Sequence, residues 1–217
     1  MTLTAELVAW TWERKCLKAV ESLEKNGFTA VYCRTSREAA DYILAEAEDA
    51  RSVGFGGSMS IKDLEVEPRL LERGKEILNH GAPCLSFEER MDIRRRQLTC
   101  DLFLSGTNAL TLSGLLVNID GIGNRVASMI FGPGKVIVVA GRNKLVDGDV
   151  AAAVARAKNW ASPPNARRLK YRTPCAETGF CCDCSTPERI CMAVTVLERK
   201  PKYTDLRVLV VNEDLGF

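Results

Sequence analysis

Apolar residues in this chain recur at helical spacing in some stretches and in short continuous or alternating runs in others, and the two kinds of stretch alternate. Over residues 3–26, Cys16, Val20 and Leu23 repeat at four and three among Glu and Lys, and Gly27 supplies a left-handed stop, so a helix is predicted. A strand follows over Phe28 to Cys33. Ser36 is placed to cap a second helix whose Ala39, Ala40, Ile43, Leu44 and Ala47 form one apolar stripe for packing on a sheet. Arg51 to Phe55 predicts a strand entering a glycine loop. Leu70, Leu71, Ile77 and Leu78 mark a further helix, Cys84 to Phe87 a short strand, and Glu88 to Gln97 a charged helix.

Beyond that helix the chain becomes strongly apolar. Asp101 to Ser105, Leu115 to Ile119 and Lys135 to Ala140 predict buried strands, and the unbroken Val136-Ile137-Val138-Val139 is the run expected of a parallel strand covered on both faces. Asp149 to Trp160 returns to helical spacing. Ser162-Pro163-Pro164-Asn165 is the clearest breaker, after which come a cysteine-rich segment and two β-rich runs, Met192 to Leu197 and Leu206 to Val211, joined by a turn. Helix and strand in alternation predict an α/β, Rossmann-like layered domain over 1–217, with a mainly parallel sheet and a cysteine-rich loop at 173–191 followed by β-rich segments. Ligands of such sheets bind at the carboxyl ends of the strands.

The chain has 217 residues, 46% of them hydrophobic and 27% charged, enough to bury a substantial core. Lys and Arg number 30 against 28 acids, a net charge of +2, so no overall field favours nucleic acid or an anionic membrane and any anion must be held by a local site. Leu102 to Ile119 carries no charge, but Ser105, Thr107, Asn108, Thr111, Ser113 and Asn118 interrupt it, so it predicts buried strands and loops rather than a membrane span. Glu6 breaks the apolar run a secretory leader needs, and the expected location is cytoplasmic.

Three segments carry candidate chemistry. Gly54-Phe55-Gly56-Gly57-Ser58-Met59-Ser60 follows a strand, and its glycines and the capping Ser60 could aim backbone N–H groups at a phosphate or carboxylate. No Gly-Lys-Ser/Thr follows, and Met59 stands where a dinucleotide fingerprint needs its third glycine. Gly106-Thr107-Asn108 and the stretch Asn118-Ile119-Asp120-Gly121-Ile122-Gly123-Asn124-Arg125 supply neutral donors and acceptors, a carboxylate and a guanidinium, with turn-forming side chains as the plainer alternative. Lys135, after Phe131-Gly132-Pro133-Gly134, is a further candidate anion contact. The one histidine, His80, sits beside Gly81 and near Pro83 as surface histidines do, so a proton-transfer role would fall to a carboxylate such as Asp120 or to a thiol. Arg90, Arg94, Arg95 and Arg96 predict a solvated helix face.

Five of the nine cysteines, Cys175, Cys181, Cys182, Cys184 and Cys191, fall within one short segment. Cys175, Cys181, Cys184 and Cys191 could ligate zinc or an iron–sulfur cluster. Reduced structural thiols or disulfides stay open, because only one Cys-x-x-Cys pair is present.

Together the Gly56-Gly57-Ser58 loop, Gly106-Thr107-Asn108-Ala109-Leu110-Thr111, Leu116 to Val126, Phe131-Gly132-Pro133-x-Lys135-Val136, Thr173-Pro174-Cys175 and the ending Val211 to Phe217 resemble the lactate-utilisation (LUD) domain family over almost the whole chain. The resemblance implies kinship with ribose-5-phosphate isomerase, glucosamine-6-phosphate deaminase and the CoA transferases. It places Gly56, Gly57, Ser58 and Ser60 on an anion-binding loop and Gly106, Thr107 and Asn108 on a loop facing it. No CoA-transferase glutamate is evident, and Asn118 to Arg125 does not reproduce the isomerase catalytic segment, so the resemblance supports a pocket without naming a reaction. Expected ligands are a small anionic metabolite or a nucleotide-like molecule, and expected partners are iron–sulfur and flavin subunits of a lactate-oxidising system. The alternatives are an independent isomerase or acyl/CoA-transferase-like enzyme using Asp120, and a non-catalytic assembly subunit.

Overall fold

The computed structural model describes residues 2–217. Its strands are β1 (Thr29–Cys33), β2 (Ser52–Phe55), β3 (Glu76–Asn79), β4 (Leu102–Gly106), β5 (Ala109–Thr111), β6 (Leu116–Asp120), β7 (Lys135–Gly141), β8 (Leu145–Val146), β9 (Ala193–Leu197) and β10 (Asp205–Val211). The helices are α1 (Leu3–Lys25), α2 (Ser36–Glu46), α3 (Met59–Lys62), α4 (Val66–Glu72), α5 (Phe87–Gln97), α6 (Asn124–Ile130), α7 (Val150–Arg156), α8 (Ser162–Arg168) and α9 (Pro174–Thr178).

Six parallel strands form the central sheet in the order β1-β10-β7-β4-β2-β3. Side chains on β7 alternate between its faces. Ile137 and Val139 join the core under α2, α3 and α4, while Val136, Val138 and Ala140 join a second core with Cys16, Ala19 and Leu23 of α1. Apolar groups at every position from Val136 to Ala140 are therefore removed from water, which is why the sequence shows a continuous run rather than alternation. The order of strands also places a crevice. From β2 the chain moves outward to β3, whereas from β4 it moves the opposite way to β7, so a crevice opens between the loops that follow β2 and β4. A second sheet, β8-β5-β6-β9, closes over that end of the domain.

Several elements differ from the sequence expectation, each for a local reason. Thr35, not Ser36, caps α2 by accepting the Glu38 N–H, and Ser58, not Ser60, caps α3. The helix expected over Leu70 to Leu78 splits, because Gly74 turns the chain at φ 73° and carries Ile77 and Leu78 onto β3. No strand forms over Cys84 to Phe87. Ser86 and Glu89 make a reciprocal capping box that starts α5 instead. Pro163 and Pro164 do not break the chain, since they occupy the first turn of α8, where no intrahelical N–H is required, after a wide π turn over Ala157–Ala161. The two C-terminal runs part to different sheets, with β9 antiparallel to β6 and β10 inserted between β1 and β7.

Phe103 is fully buried on β4, and a Cβ at Gly54 or Gly56 would lie 2.9 or 3.1 Å from its ring. These glycines therefore serve close packing of β2 on β4. Phe103→Ala should lower stability by about 3–5 kcal/mol, measured by urea unfolding, because the strand cannot collapse into the space the ring leaves.

Candidate functional site

The crevice is a cleft of about 530 Å³ walled by the loops after β2, β3, β4 and β7, by α6, and by α5 and α8. A cleft of that size suits a small metabolite. Gly56, Gly57, Ser58, Gly106, Thr107, Asn108, Asp120, Asn124 and Arg125 all border it, so most of the residues singled out from sequence do converge. Lys135 does not. It lies at the opposite, amino-terminal end of β7 and pairs with Glu46 at 2.6 Å.

The convergence gives these residues structural work that the sequence reading did not assign. Arg125 donates through Nη1 to Gly106 O at 3.1 Å and Asn118 Oδ1 at 2.6 Å, and through Nη2 to Asn108 Oδ1 and Ile119 O, each at 3.0 Å. Its Nε faces Asp120 Oδ1 at 3.5 Å. A guanidinium has five N–H donors, and here the four on Nη1 and Nη2 are all hydrogen-bonded to protein acceptors while Nε lies beside a carboxylate, so Arg125 is a brace between the β4 and β6 ends rather than a free fork for an oxyanion. Asp120 holds that brace and accepts the Val126 N–H at 3.0 Å, which anchors the first turn of α6. Thr107 donates to Ala109 O at 3.0 Å and Val117 O at 3.2 Å. Asn118 is fully buried on β6, and its amide nitrogen has no hydrogen-bond partner among the described residues. The Gly56 N–H, expected to face an anion, donates to Leu104 O at 2.9 Å.

Positive charge on the cleft comes instead from side chains that the motifs did not include. Arg90, Arg94, Lys144 and Arg168 line the cleft with Arg125, whereas Asp120 is the one acidic side chain among the lining residues. Of these five cations only Arg125 has a carboxylate partner among the described residues. Arg94 presents a buried Nε with no hydrogen-bond partner, and Arg168 donates to the carbonyl of Gly57 at 3.3 Å from across the cleft. Arg90 and Arg94 thus face the cleft rather than a solvated surface, which corrects the reading for these two, while Arg95 and Arg96 are exposed as expected.

Lys144 follows β7 directly, in Gly141-Arg142-Asn143-Lys144, and its position at the carboxyl end of the strongest apolar run was the signal available for it. Its Nζ donates to Ser60 Oγ at 2.6 Å, and Ser60 Oγ donates to Leu215 O at 3.1 Å. Burial, reinforced by the positive charges of Arg156 and Arg125 and only weakly opposed by Asp63, pushes the Lys144 ammonium down to about 7. His80 is mostly buried at the cleft wall rather than on the surface, with Gln97 Nε2 at 3.1 Å from its Nδ1. Burial, with Arg94 adding, pushes its pKa down to about 4, so the imidazole is neutral at physiological pH.

The cysteines gather beside this cleft. Cys175, Cys181, Cys182, Cys184 and Cys191 border one small cavity of about 20 Å³, and Cys191 also lines the large cleft. All nine cysteines are free thiols. Among the described residues no three His, Cys, Asp or Glu side chains already stand where they could share a metal ion.

Residues 16–211 match the LUD domain. The chain belongs to the LUD-domain family. A DUF162 family protein from Deinococcus radiodurans has a similar solved structure, 16% identical with a TM-score of 0.53, the match covering 92% of this LUD-domain chain and 98% of the other. Ribose 5-phosphate isomerase from Plasmodium falciparum aligns at 18% identity over 53% of this chain and 54% of its own, with a TM-score of 0.34. No curated protein matches the chain. The fold is thus the mostly parallel, Rossmann-like α/β arrangement, and no helix among the described residues is long and apolar enough to cross a membrane.

Because both terminal nitrogens are fully hydrogen-bonded, Arg125 should not tolerate a conservative exchange. Arg125→Lys keeps the charge but cannot reproduce the fork, and should cost about 2 kcal/mol or more in chemical denaturation.

Proposed function

We propose that this LUD-domain protein binds a small organic anion, a carboxylate- or phosphate-bearing metabolite, in the cleft between the loops after β2 and β4. The observation that carries the reading is the set of cations without carboxylate partners, Arg90, Arg94, Lys144 and Arg168, around a space of about 530 Å³. Partly buried positive charges that face one another are unfavourable unless an anion joins them. The family's link with lactate utilisation makes lactate and pyruvate the first ligands to try. It also makes iron–sulfur and flavin subunits of a lactate-oxidising system the first partners to test. An assembly subunit without a ligand would not need such a cleft.

Arg94→Gln and Arg168→Gln should each weaken binding of the preferred anion roughly ten- to a hundredfold by calorimetry, the loss expected for one charge-assisted hydrogen bond, while leaving the unfolding midpoint nearly unchanged. Equal binding by wild type and both variants would remove the anion reading.

A second reading, an enzyme that moves a proton, is favoured by Lys144. Both oxygens of Asp120 face N–H donors of Arg125 and Val126, so a base is better sought in the amine of Lys144, which is poised between charged and neutral forms at about pH 7. The same group predicts the pH dependence of binding. Below its pKa Lys144 is charged and attracts the anion; above it the attraction is lost, while a carboxylate ligand stays ionised and His80 stays neutral. Affinity should therefore fall as pH rises from about 6 to about 9, by at most tenfold per unit. Lys144→Met should abolish the slope. A slope that persists in Lys144→Met would assign the titration to another group.

A further inference from the structure

The segment that carries the clustered cysteines lacks the usual means of holding a chain in place. From Ala176 to Val196 no residue is buried, and between α9 and β9 no helix or strand forms. An irregular stretch of that length without a core is expected to be mobile or to be fastened by something other than apolar packing. Here the fold bends it around one point. Gly179 at φ 81° and Asp183 at φ 49° turn the chain on either side of Cys181, and Cys175, Cys181, Cys184 and Cys191 come to border a single cavity. That cavity, about 20 Å³, has room for about one water-sized sphere.

Hydrogen-bond donors also approach two of the sulfurs. The Asp183 N–H lies 3.5 Å from Cys181 Sγ, and Thr186 Oγ1 lies 3.9 Å from Cys184 Sγ, so each of these two sulfurs is approached by a donor from two residues further on. Donors of this kind orient metal-bound sulfur and stabilise its charge. Arg189 and Lys158 stand beside the cavity and share Asp183 at 2.8 Å each, leaving a positive excess next to the sulfurs. Arg189 Nε donates to Cys191 O at 2.8 Å and its Nη1 to Cys184 O, tying two of the cysteines' backbones together.

We propose that Cys175, Cys181, Cys184 and Cys191 bind a soft metal centre, a zinc ion or an iron–sulfur cluster, through four thiolates. The four thiols border one cavity without yet meeting around a point, so binding draws their sulfurs inward; Cys182, the exposed member of the cluster, is left out of the proposed set. The bound centre fastens the loop to the ligand cleft. Ser162, Ile190 and Cys191 border both cavities, the Met192 N–H donates to Asp120 O at 3.0 Å, and a Cβ at Gly121 would lie 3.1 Å from Ile190 O. This proposal does not depend on what the cleft binds.

The test is metal analysis of the full-length chain purified anaerobically from cells supplied with zinc and iron. One zinc per chain in colourless protein, or iron with equimolar sulfide and visible absorption, supports the site. Cys181→Ser and Cys184→Ser should each lose the metal and lower the melting temperature, whereas Cys182→Ser and the distant Cys84→Ser should keep both. Should the serine variants fail to fold, thiol titration of wild type with and without a strong chelator replaces them, and about four additional thiols should become reactive on chelation. Protein that carries no metal, metal retained by the Cys181→Ser, Cys184→Ser double variant, or no change in thiol reactivity on chelation would overturn the proposal.

Discussion

Arg125 holds together the end of the domain where the cleft lies. Its guanidinium joins the carbonyl of Gly106 at the end of β4, Asn118 and Ile119 on β6, Asn108 in the loop between them, and Asp120 at the start of the turn into α6. These groups would otherwise be polar atoms buried without partners, a cost that few strand ends can carry. With the brace in place, the second sheet is pinned against the first and the loops after β2 and β4 face each other at a fixed separation.

That brace decides which charges remain for a ligand. Asn108, Asn118 and Asp120 turn side-chain oxygens to Arg125 and the neighbouring backbone, so these oxygens and the Arg125 guanidinium shape the cleft rather than coordinate what enters it. Arg90, Arg94 and Arg168 approach from α5 and α8, and Lys144 from the end of β7, without carboxylates to neutralise them among the described residues. Helices outside the sheet thus deliver the positive charge, while the sheet supplies the floor. Lys144 is buried beside Arg156 and Arg125 and hydrogen-bonds a hydroxyl rather than an acid; the burial, with those charges adding, keeps its ammonium close to losing its proton.

The layered fold was legible because burial on both faces leaves a direct mark on composition. Val136 to Val139 could hardly be anything but a central strand, and the stripe of Ala39, Ala40, Ile43, Leu44 and Ala47 is buried as its spacing requires. Capping chemistry was legible to within two residues. Less visible were the breaks made by tertiary context: Leu70-Leu71 and Ile77-Leu78 look alike in sequence, but only Gly74 between them separates helix from strand. Pro163-Pro164 looked like an ending and proved to be a beginning, because only position within a helix tells the two apart. The cleft's polar frame could be read from motifs, whereas its cations could not. Arg94 and Arg168 lie on α5 and α8, far apart in sequence from the loops they face, and nothing local distinguishes them from solvated surface arginines.

The central claim, that unpaired cations from α5, α8 and the end of β7 define an anion site above an Arg125 brace, is tested most directly by a crystal structure grown with pyruvate or inorganic phosphate. An anion within hydrogen-bond distance of Arg94, Arg168 and Lys144, with the Arg125 contacts to Gly106, Asn108 and Asn118 intact, is the predicted result. An anion bound through Arg125 after release of those contacts, or a cleft left empty at saturating ligand, would contradict it.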